Sequence, residues 1–368
     1  MYYVPDGTKV CGYYECKKCG NRFLSLEVKN KIPCPECEAE IDYEIGPDES
    51  LEDLLETAEL KEKIEGEEEV GSKNLPAWVE ANKERLACDV ILVSDTTMIS
   101  DKVPSINCGM RGVTYLQVNV QGPDKDLHSG HYGGAVANPI NTLCDMISTL
   151  IDEDGRVTIP GFYDDVVEVS DEDRKELARA PFDIDEYKES IGIDEVKGEK
   201  GYTTLERTAI RPCLDVCGIW GGYTGVGSKT VLPSEAHAKI SMRIVPNQKA
   251  DKIIDLAAKH ILSIAPPYAH VTVEKMEAGN GFLIPITSSA YQAASKAMAE
   301  VYGIEPVPSR GGGSICVLAD MRNILGADPL LMGFGLERDT IHSPNESYLI
   351  KQLFAGIESI ALFYEYWK

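Results

Sequence analysis

From Asn74 onward the chain alternates short apolar runs with amphipathic stretches, and that order restricts its fold more than any other feature. Tyr115 to Gln121, Leu214 to Trp220, Ala236 to Val245 and His270 to Met276 read as strands, from the alternation of apolar and polar residues. Asn138 to Ile151 and Ala250 to Ile264 carry apolar residues at helical spacing. Strand, helix, strand, strand, helix, strand predicts a four-stranded sheet backed by two helices. An insertion interrupts it at residues 152 to about 210, rich in Asp, Glu and Lys, where only short helices are expected. Outside that block, Ala77 to Ala87 reads as a helix and Asp89 to Ser94 as a short buried strand ending in Asp95. A helix from Ser288 to Tyr302, a Gly311-Gly312-Gly313 turn, a strand near Leu330 to Gly333 and a closing helix from Tyr348 to Tyr366 complete the chain.

The first residues, to about 46, follow a different rule. Cys16-Lys17-Lys18-Cys19 and Cys34-Pro35-Glu36-Cys37 are two CxxC knuckles separated by fourteen residues, with a strand expected over Arg22 to Val28. A tetrahedral thiolate site needs two tight turns that each present two sulfurs, and this spacing supplies them. The segment resembles a zinc ribbon or a rubredoxin-like knuckle pair, with zinc as the expected structural metal and iron as the competing reading. A closed four-sulfur site leaves no position open for catalysis. Between Asp42 and Glu69 stand thirteen Asp or Glu against two Lys. Leu51, Leu54, Leu55 and Ala58 recur on one helical face, so residues 47–70 read as an acidic linker with a helix over about 51–64.

Bulk properties exclude several functions. A formal charge of -24 over 368 residues disfavours nucleic acid or an anionic membrane as main partner, because phosphate binding is driven by Lys and Arg. No apolar run approaches the roughly 20 residues of a membrane span, and Met1 to Gly7 carries no basic segment leading into an apolar one, so a cytoplasmic protein is expected. Of the eleven cysteines, the seven outside the knuckles are scattered in apolar surroundings, as reduced thiols would be.

The residues that could carry chemistry are acidic and histidine groups in loops. Adjacent Glu68 and Glu69 could place one carboxylate on a metal and the other on its water, although glutamates in an acidic stretch usually face solvent. Asp95 follows a sheet strand at the end where open α/β sheets build their sites; the plainer reading is a turn former. His128 lies in a Gly-flanked loop and His342 precedes Ser343-Pro344-Asn345-Glu346, whereas His131, His237, His260 and His270 read as structural.

Seven stretches in order carry a family pattern. They are Glu65 to Ser72, Leu92-Val93-Ser94-Asp95, Gly122 to Gly130, Lys229 to Pro233, Met242 to Pro246, Arg310 to Ile315 and His342 to Glu346. Residues from about Glu65 to Lys368 thereby resemble the later two thirds of the aminoacylase/carnosinase/succinyl-diaminopimelate desuccinylase family of two-zinc metallopeptidases, nearest its dipeptidase branch. The resemblance implies an α/β fold: a partial phosphorylase/hydrolase-like (zinc-peptidase) sheet domain with an inserted α+β lid, preceded here by the small zinc ribbon. The catalytic part would be 71–112 and 280–368, and the lid and dimerisation domain 113–279. It implies Glu68 as general base for a zinc-bound water, and Glu69, Asp95 and His342 as ligands of one or two zinc ions. His128 would stabilise the oxyanion in a partner subunit's site. Thr230, Arg243, Gly312, Gly313 and Ser314 would hold the carboxylate of a small peptide or N-acyl amino acid, in a homodimer paired through the lid.

One departure tempers that expectation. No histidine precedes His128, so the His-x-Asp motif that the family places upstream is absent and no bridging Asp can be identified. Weak hydrolysis at most is expected. The competing reading is a non-catalytic dimer with the ribbon as a binding head, since residues 9 to 33 hold six Lys or Arg against two Glu.

Overall fold

In the computed structural model, which describes residues 12–15, 18, 22–25, 31–33, 40–42, 72, 74–341 and 345–367, the chain divides into two units, Met1–Glu68 and Glu69–Lys368. In the first unit, β1 (Gly12–Glu15) pairs antiparallel with β2 (Arg22–Ser25), and β3 (Lys31–Pro33) with β4 (Glu40–Asp42). Of the strand expected over Arg22 to Val28, Arg22–Ser25 is present as β2, and residues 26–28 lie outside the described residues. Cys16, Cys19, Cys34 and Cys37, the expected helix 51–64, and Glu68 lie outside the described residues.

The second unit opens with α1 (Leu75–Ala81), begun by a proline in its first turn. It ends well before Ala87, because the Asn82 side chain donates to the Trp78 carbonyl (2.9 Å) and the chain continues as turns. Then come β5 (Val90–Val93), β6 (Ser105–Met110), β7 (Gly112–Gln121), β8 (Leu127–His128), the one-turn α2 (Ser129–Tyr132) and α3 (Pro139–Ser148). Asn138 caps α3, its side chain accepting from the Ile140 N–H at 2.9 Å, with Pro139 at the first helical position. The insertion carries three short helices, α4 (Asp171–Leu177), α5 (Ile184–Ile191) and α6 (Thr204–Ala209). The Thr203 and Glu206 side chains form a capping box at the start of α6. There follow β9 (Cys213–Gly221), β10 (Val231–Leu232), β11 (Glu235–Ile244), α7 (Ala250–Ser263), β12 (His270–Gly279), β13 (Phe282–Leu283), α8 (Ser289–Tyr302), β14 (Val307–Gly311), α9 (Cys316–Leu325), β15 (Asp328–Leu331) and α10 (Ile350–Tyr366).

The expected four-stranded sheet is present, in the order β12-β7-β11-β9 and antiparallel throughout. Even-numbered residues of β7 and β11, among them Leu116, Val118, Ala238, Ile240 and Met242, point inward. They meet Leu143 and Met146 of α3 and Ile253, Ala257 and Ile261 of α7 in one apolar cluster. Odd-numbered Gln117, Asn119, His237 and Lys239 stand on the open face, only partly buried.

A second sheet takes the order β13-β6-β15-β5, with β14 parallel to β6 and β15 parallel to β5. Helices α8 and α10 pack against each other, and α1 packs against α9. Ile106, Met298, Leu331, Phe334 and Phe363 form the centre of its core. The sheet ends at β5: its Val-Ile-Leu-Val run pairs with β15 alone among the described residues, and all four residues are only half-buried. Helix α10 buries Gln352, Gly356, Ser359 and Phe363, and leaves Ile350, Leu353, Phe354, Ile357 and Tyr364 exposed along the other side. No helix among the described residues is long and apolar enough to cross a membrane.

The insertion is bound to the four-stranded unit by a buried ion pair. Glu199 accepts from Arg211 Nε and Nη2, both at 2.7 Å, and from Arg156 Nη1 at 2.9 Å; the Arg211 and Glu199 side chains are 3% and 5% exposed. Arg211 also lies over the Tyr202 ring, 4.3 Å from its centroid.

Candidate active site

Asp95 stands just past the C-terminal end of β5, exposed. Backbone hydrogen bonds zip its loop to the chain that follows β15: Met332 N to Val93 O at 2.9 Å, Gly335 N to Thr96 O at 3.3 Å and Met98 N to Gly335 O at 2.9 Å. Gly333 is required there, because a Cβ would lie 2.2 Å from the Thr96 carbonyl oxygen. The register thus holds Asp95 beside the segment that runs on toward residue 342. Glu69 and His342 lie outside the described residues. Among the described residues no three His, Cys, Asp or Glu are grouped to hold a metal ion. They supply one donor of the expected set, the Asp95 carboxylate, where a zinc ion takes about four ligands.

His128 is built into a small two-stranded ribbon. Strand β8 pairs antiparallel with β10, setting His128 opposite Val231, and Ser129 N donates to the Thr230 carbonyl at 3.0 Å. Asp126 tightens the ribbon by accepting from Ser234 N at 3.0 Å. Nδ1 of His128 accepts from the Gly130 N–H at 2.9 Å, so the neutral imidazole carries its proton on Nε2. That nitrogen is 3.5 Å from Thr230 Oγ1. His131 stacks on the ring, with centroids 4.7 Å apart. His128 and Thr230 are therefore neighbours, both exposed, offering an N–H and a hydroxyl side by side.

Arg243, on β11, donates from Nη1 to Ser314 Oγ at 2.9 Å, and Ser314 Oγ donates to the Arg111 carbonyl at 2.6 Å. The Arg243 guanidinium is half-buried and makes no carboxylate ion pair among the described residues. Gly312 is tightly held: a Cβ there would meet the Thr208 carbonyl oxygen at 2.6 Å and Arg111 Nη2 at 3.2 Å, whereas one on Gly313 would meet nothing. The expected residues are thus gathered as two contacts, His128 with Thr230 and Arg243 with Ser314, with Asp95 on the other sheet.

Arg111 escaped the reading of the sequence. It joins β6 to β7, is buried, and donates from Nε to the Gly312 carbonyl at 3.1 Å. A lone arginine between glycines in an otherwise apolar Cys108 to Val113 run was the signal that could have marked it. His237, read as structural, donates from Nδ1 to Asn119 Oδ1 at 2.7 Å and stacks on Trp220.

Comparisons agree with this architecture. The family described as peptidase dimerisation domain matches residues 109–269. The chain is similar to the Cys-Gly metallodipeptidase of Schizosaccharomyces pombe, 32% identical over 300 residues, covering 80% of this chain and 63% of that protein. It is 30% identical over 310 residues to the human Beta-Ala-His dipeptidase, covering 83% of this chain and 61% of the relative. Among solved structures it resembles an M20 family metallo-carboxypeptidase from Sulfolobus solfataricus, with a TM-score of 0.74, 31% identity, and coverage of 82% of this chain and 69% of that one. The chain spans somewhat under two thirds of the length of the dipeptidases it matches. With the order of its strands, its antiparallel insert and its identity to these proteins in accord, the chain belongs to the M20 peptidase family.

Proposed function

We propose that the chain acts in the metal-dependent hydrolysis of dipeptides or N-acyl amino acids, and that its own residues chiefly recognise the substrate carboxylate and the developing oxyanion. The observation that carries this reading is the Arg243–Ser314 contact: a half-buried guanidinium with no carboxylate ion pair among the described residues, beside a glycine loop. A guanidinium fork suits a carboxylate, and glycines let backbone N–H groups approach an anion. Gly312, Gly313 and Ser314 complete that grip, and Thr230 adds a hydroxyl. The Nε2–H of His128 donates to the oxygen that gains charge as the amide carbonyl is attacked, and it serves the active site of a partner subunit. Glu68 takes the proton of the attacking water and returns it to the leaving amine. Asp95, Glu69 and His342 would hold the metal, with zinc the ion expected; bound there, it would supply Lewis-acid activation of the amide.

A homodimer through the lid, taken as residues 113–279, is part of the proposal, supported by the dimerisation-domain match. Residues 71–112 and 280–368 are taken as the partial catalytic domain. The first unit is proposed as a zinc ribbon on Cys16, Cys19, Cys34 and Cys37, supported by described strands that flank each knuckle in sequence. The test is hydrolysis of Cys-Gly and β-Ala-His by zinc-loaded protein, with metal content measured alongside. Weak hydrolysis that Arg243→Ala abolishes is expected, with one zinc in the ribbon and at least one more at Asp95, Glu69 and His342. One zinc per chain and no hydrolysis would favour the second reading, a non-catalytic dimer whose ribbon, locally basic over residues 9 to 33, serves as a binding head.

A further inference from the structure

We infer that Arg111 is the positioning residue of carboxylate recognition: it fixes the Gly311–Ser314 loop from behind and places a second positive charge beneath Arg243, so that the site prefers a free carboxylate to a neutral terminus. The inference rests on the reading of that loop and Arg243 given above, and adds a residue that neither the motif pattern nor the comparisons assign.

One residue grips the loop at three points. The Arg111 N–H donates to the Gly311 carbonyl at 3.3 Å and its Nε to the Gly312 carbonyl at 3.1 Å, and its own carbonyl accepts from Ser314 Oγ at 2.6 Å. Since Ser314 Oγ also receives Arg243 Nη1 at 2.9 Å, the two arginines are linked through a single hydroxyl. The far side of the guanidinium is anchored as well: Nη1 reaches the carbonyls of Arg207 at 3.3 Å and Arg211 at 3.1 Å, and Cys213 Sγ at 3.6 Å. The loop therefore cannot shift without breaking contacts to the insertion.

Arg111 is 8% exposed, yet every acceptor around it is a neutral carbonyl or thiol, and it makes no carboxylate ion pair among the described residues. Burial and the neighbouring Arg243 charge both push its pKa down, while Cys213 and Asp215 push it up. A buried charge held only by dipoles is costly for a fold that needs no more than a loop clamp. What it provides here is positive potential, offset only in part by Asp215, behind the Gly312 and Ser314 backbone and close to Arg243. A carboxylate entering that region meets two guanidinium charges through a medium of low dielectric, and a carboxamide gains nothing from them.

Arg111→Gln and Arg111→Lys separate charge from packing, since both keep a polar donor on a long stem and only lysine keeps the charge. The experiment is calorimetric titration of Cys-Gly and of its C-terminal amide into the full-length wild type and both variants, with thermal melts of each. The expected result is that wild type and Arg111→Lys prefer the free carboxylate, while Arg111→Gln loses on the order of tenfold for Cys-Gly and nothing for the amide. If both variants melt early to the same extent yet only Arg111→Gln loses the preference, the role is electrostatic positioning and not stability. A wild type that discriminates and an Arg111→Gln that discriminates equally would overturn the assignment of Arg111 alone. A wild type that binds neither peptide, or both alike, overturns the carboxylate reading itself and this inference with it.

Discussion

Replacing Glu199 by alanine removes a carboxylate shared by two guanidinium groups, and the structure indicates how much that costs. Arg211 is 3% exposed and donates to both Glu199 oxygens at 2.7 Å, so the truncation strands a nearly dry cation. Its Nη1 already has no hydrogen-bond partner, so no spare acceptor stands ready to take over. Arg156, at 46% exposed, is instead rescued by water and adds little. Breaking a buried pair from one side costs about 3–5 kcal/mol. At about 2–4 °C per kcal/mol for a domain of this class, melting should fall by roughly 6–20 °C. The cost arises from the orphaned charge, so Glu199→Ala with Arg211→Met should recover part of the loss. Urea and thermal unfolding of the single and double variants, followed by circular dichroism, give both numbers. A Glu199→Ala cost below about 1 kcal/mol, or a second change that only adds to it, would refute the reasoning.

Four further outcomes are expected. Gly312→Ala should cost about 1–3 kcal/mol and weaken dipeptide binding, whereas Gly313→Ala should stay within about 0.5 kcal/mol, read by chemical denaturation and titration. Burial holds the His260 pKa below its ordinary value, so below about pH 6.5 the unfolded chain takes up the proton more readily and stability falls as pH drops. His260→Gln should flatten that slope between denaturation curves at pH 7.5 and 5.5. Cys316, with its thiol pushed up to about 11 by burial, and buried Cys108 should alkylate last at pH 8, after exposed Cys144 and Cys217, as peptide mapping by mass spectrometry will show. Phe354→Glu with Ile357→Glu should lower apolar dye binding to the native protein, because both side chains are exposed on α10; unchanged binding would mean that the stripe is already covered.

The four-stranded sheet and its two helices were legible in the sequence because its central strands β7 and β11 each keep one apolar face. Leu116, Val118, Ala238 and Ile240 announce it locally. Strand β6 was not legible: Ser105 and Asn107 interrupt the pattern, yet both are buried, since Ser105 Oγ accepts from Ile99 N and Asn107 Oδ1 from Gly109 N. Helix α9 was hidden behind the glycine run that precedes it, with Asp320 and Arg322 breaking its apolar face. In the candidate site, His128, Thr230, Arg243 and Ser314 could be named from short motifs, and two contacts join them. Arg111 could not, because its partners Arg207, Arg211 and Gly312 lie 96 to 201 positions away in the chain. Tertiary proximity of that kind leaves no local periodicity to read.

Strand β5 has a practical consequence. Its Val-Ile-Leu-Val composition is that of an interior ribbon, yet among the described residues its outer rail of peptide groups meets no other strand. Such a rail is sticky in one direction and indifferent to sequence, since any extended backbone can dock there. One lysine placed at Ile91 should therefore lower turbidity on warming and raise the concentration that the protein tolerates.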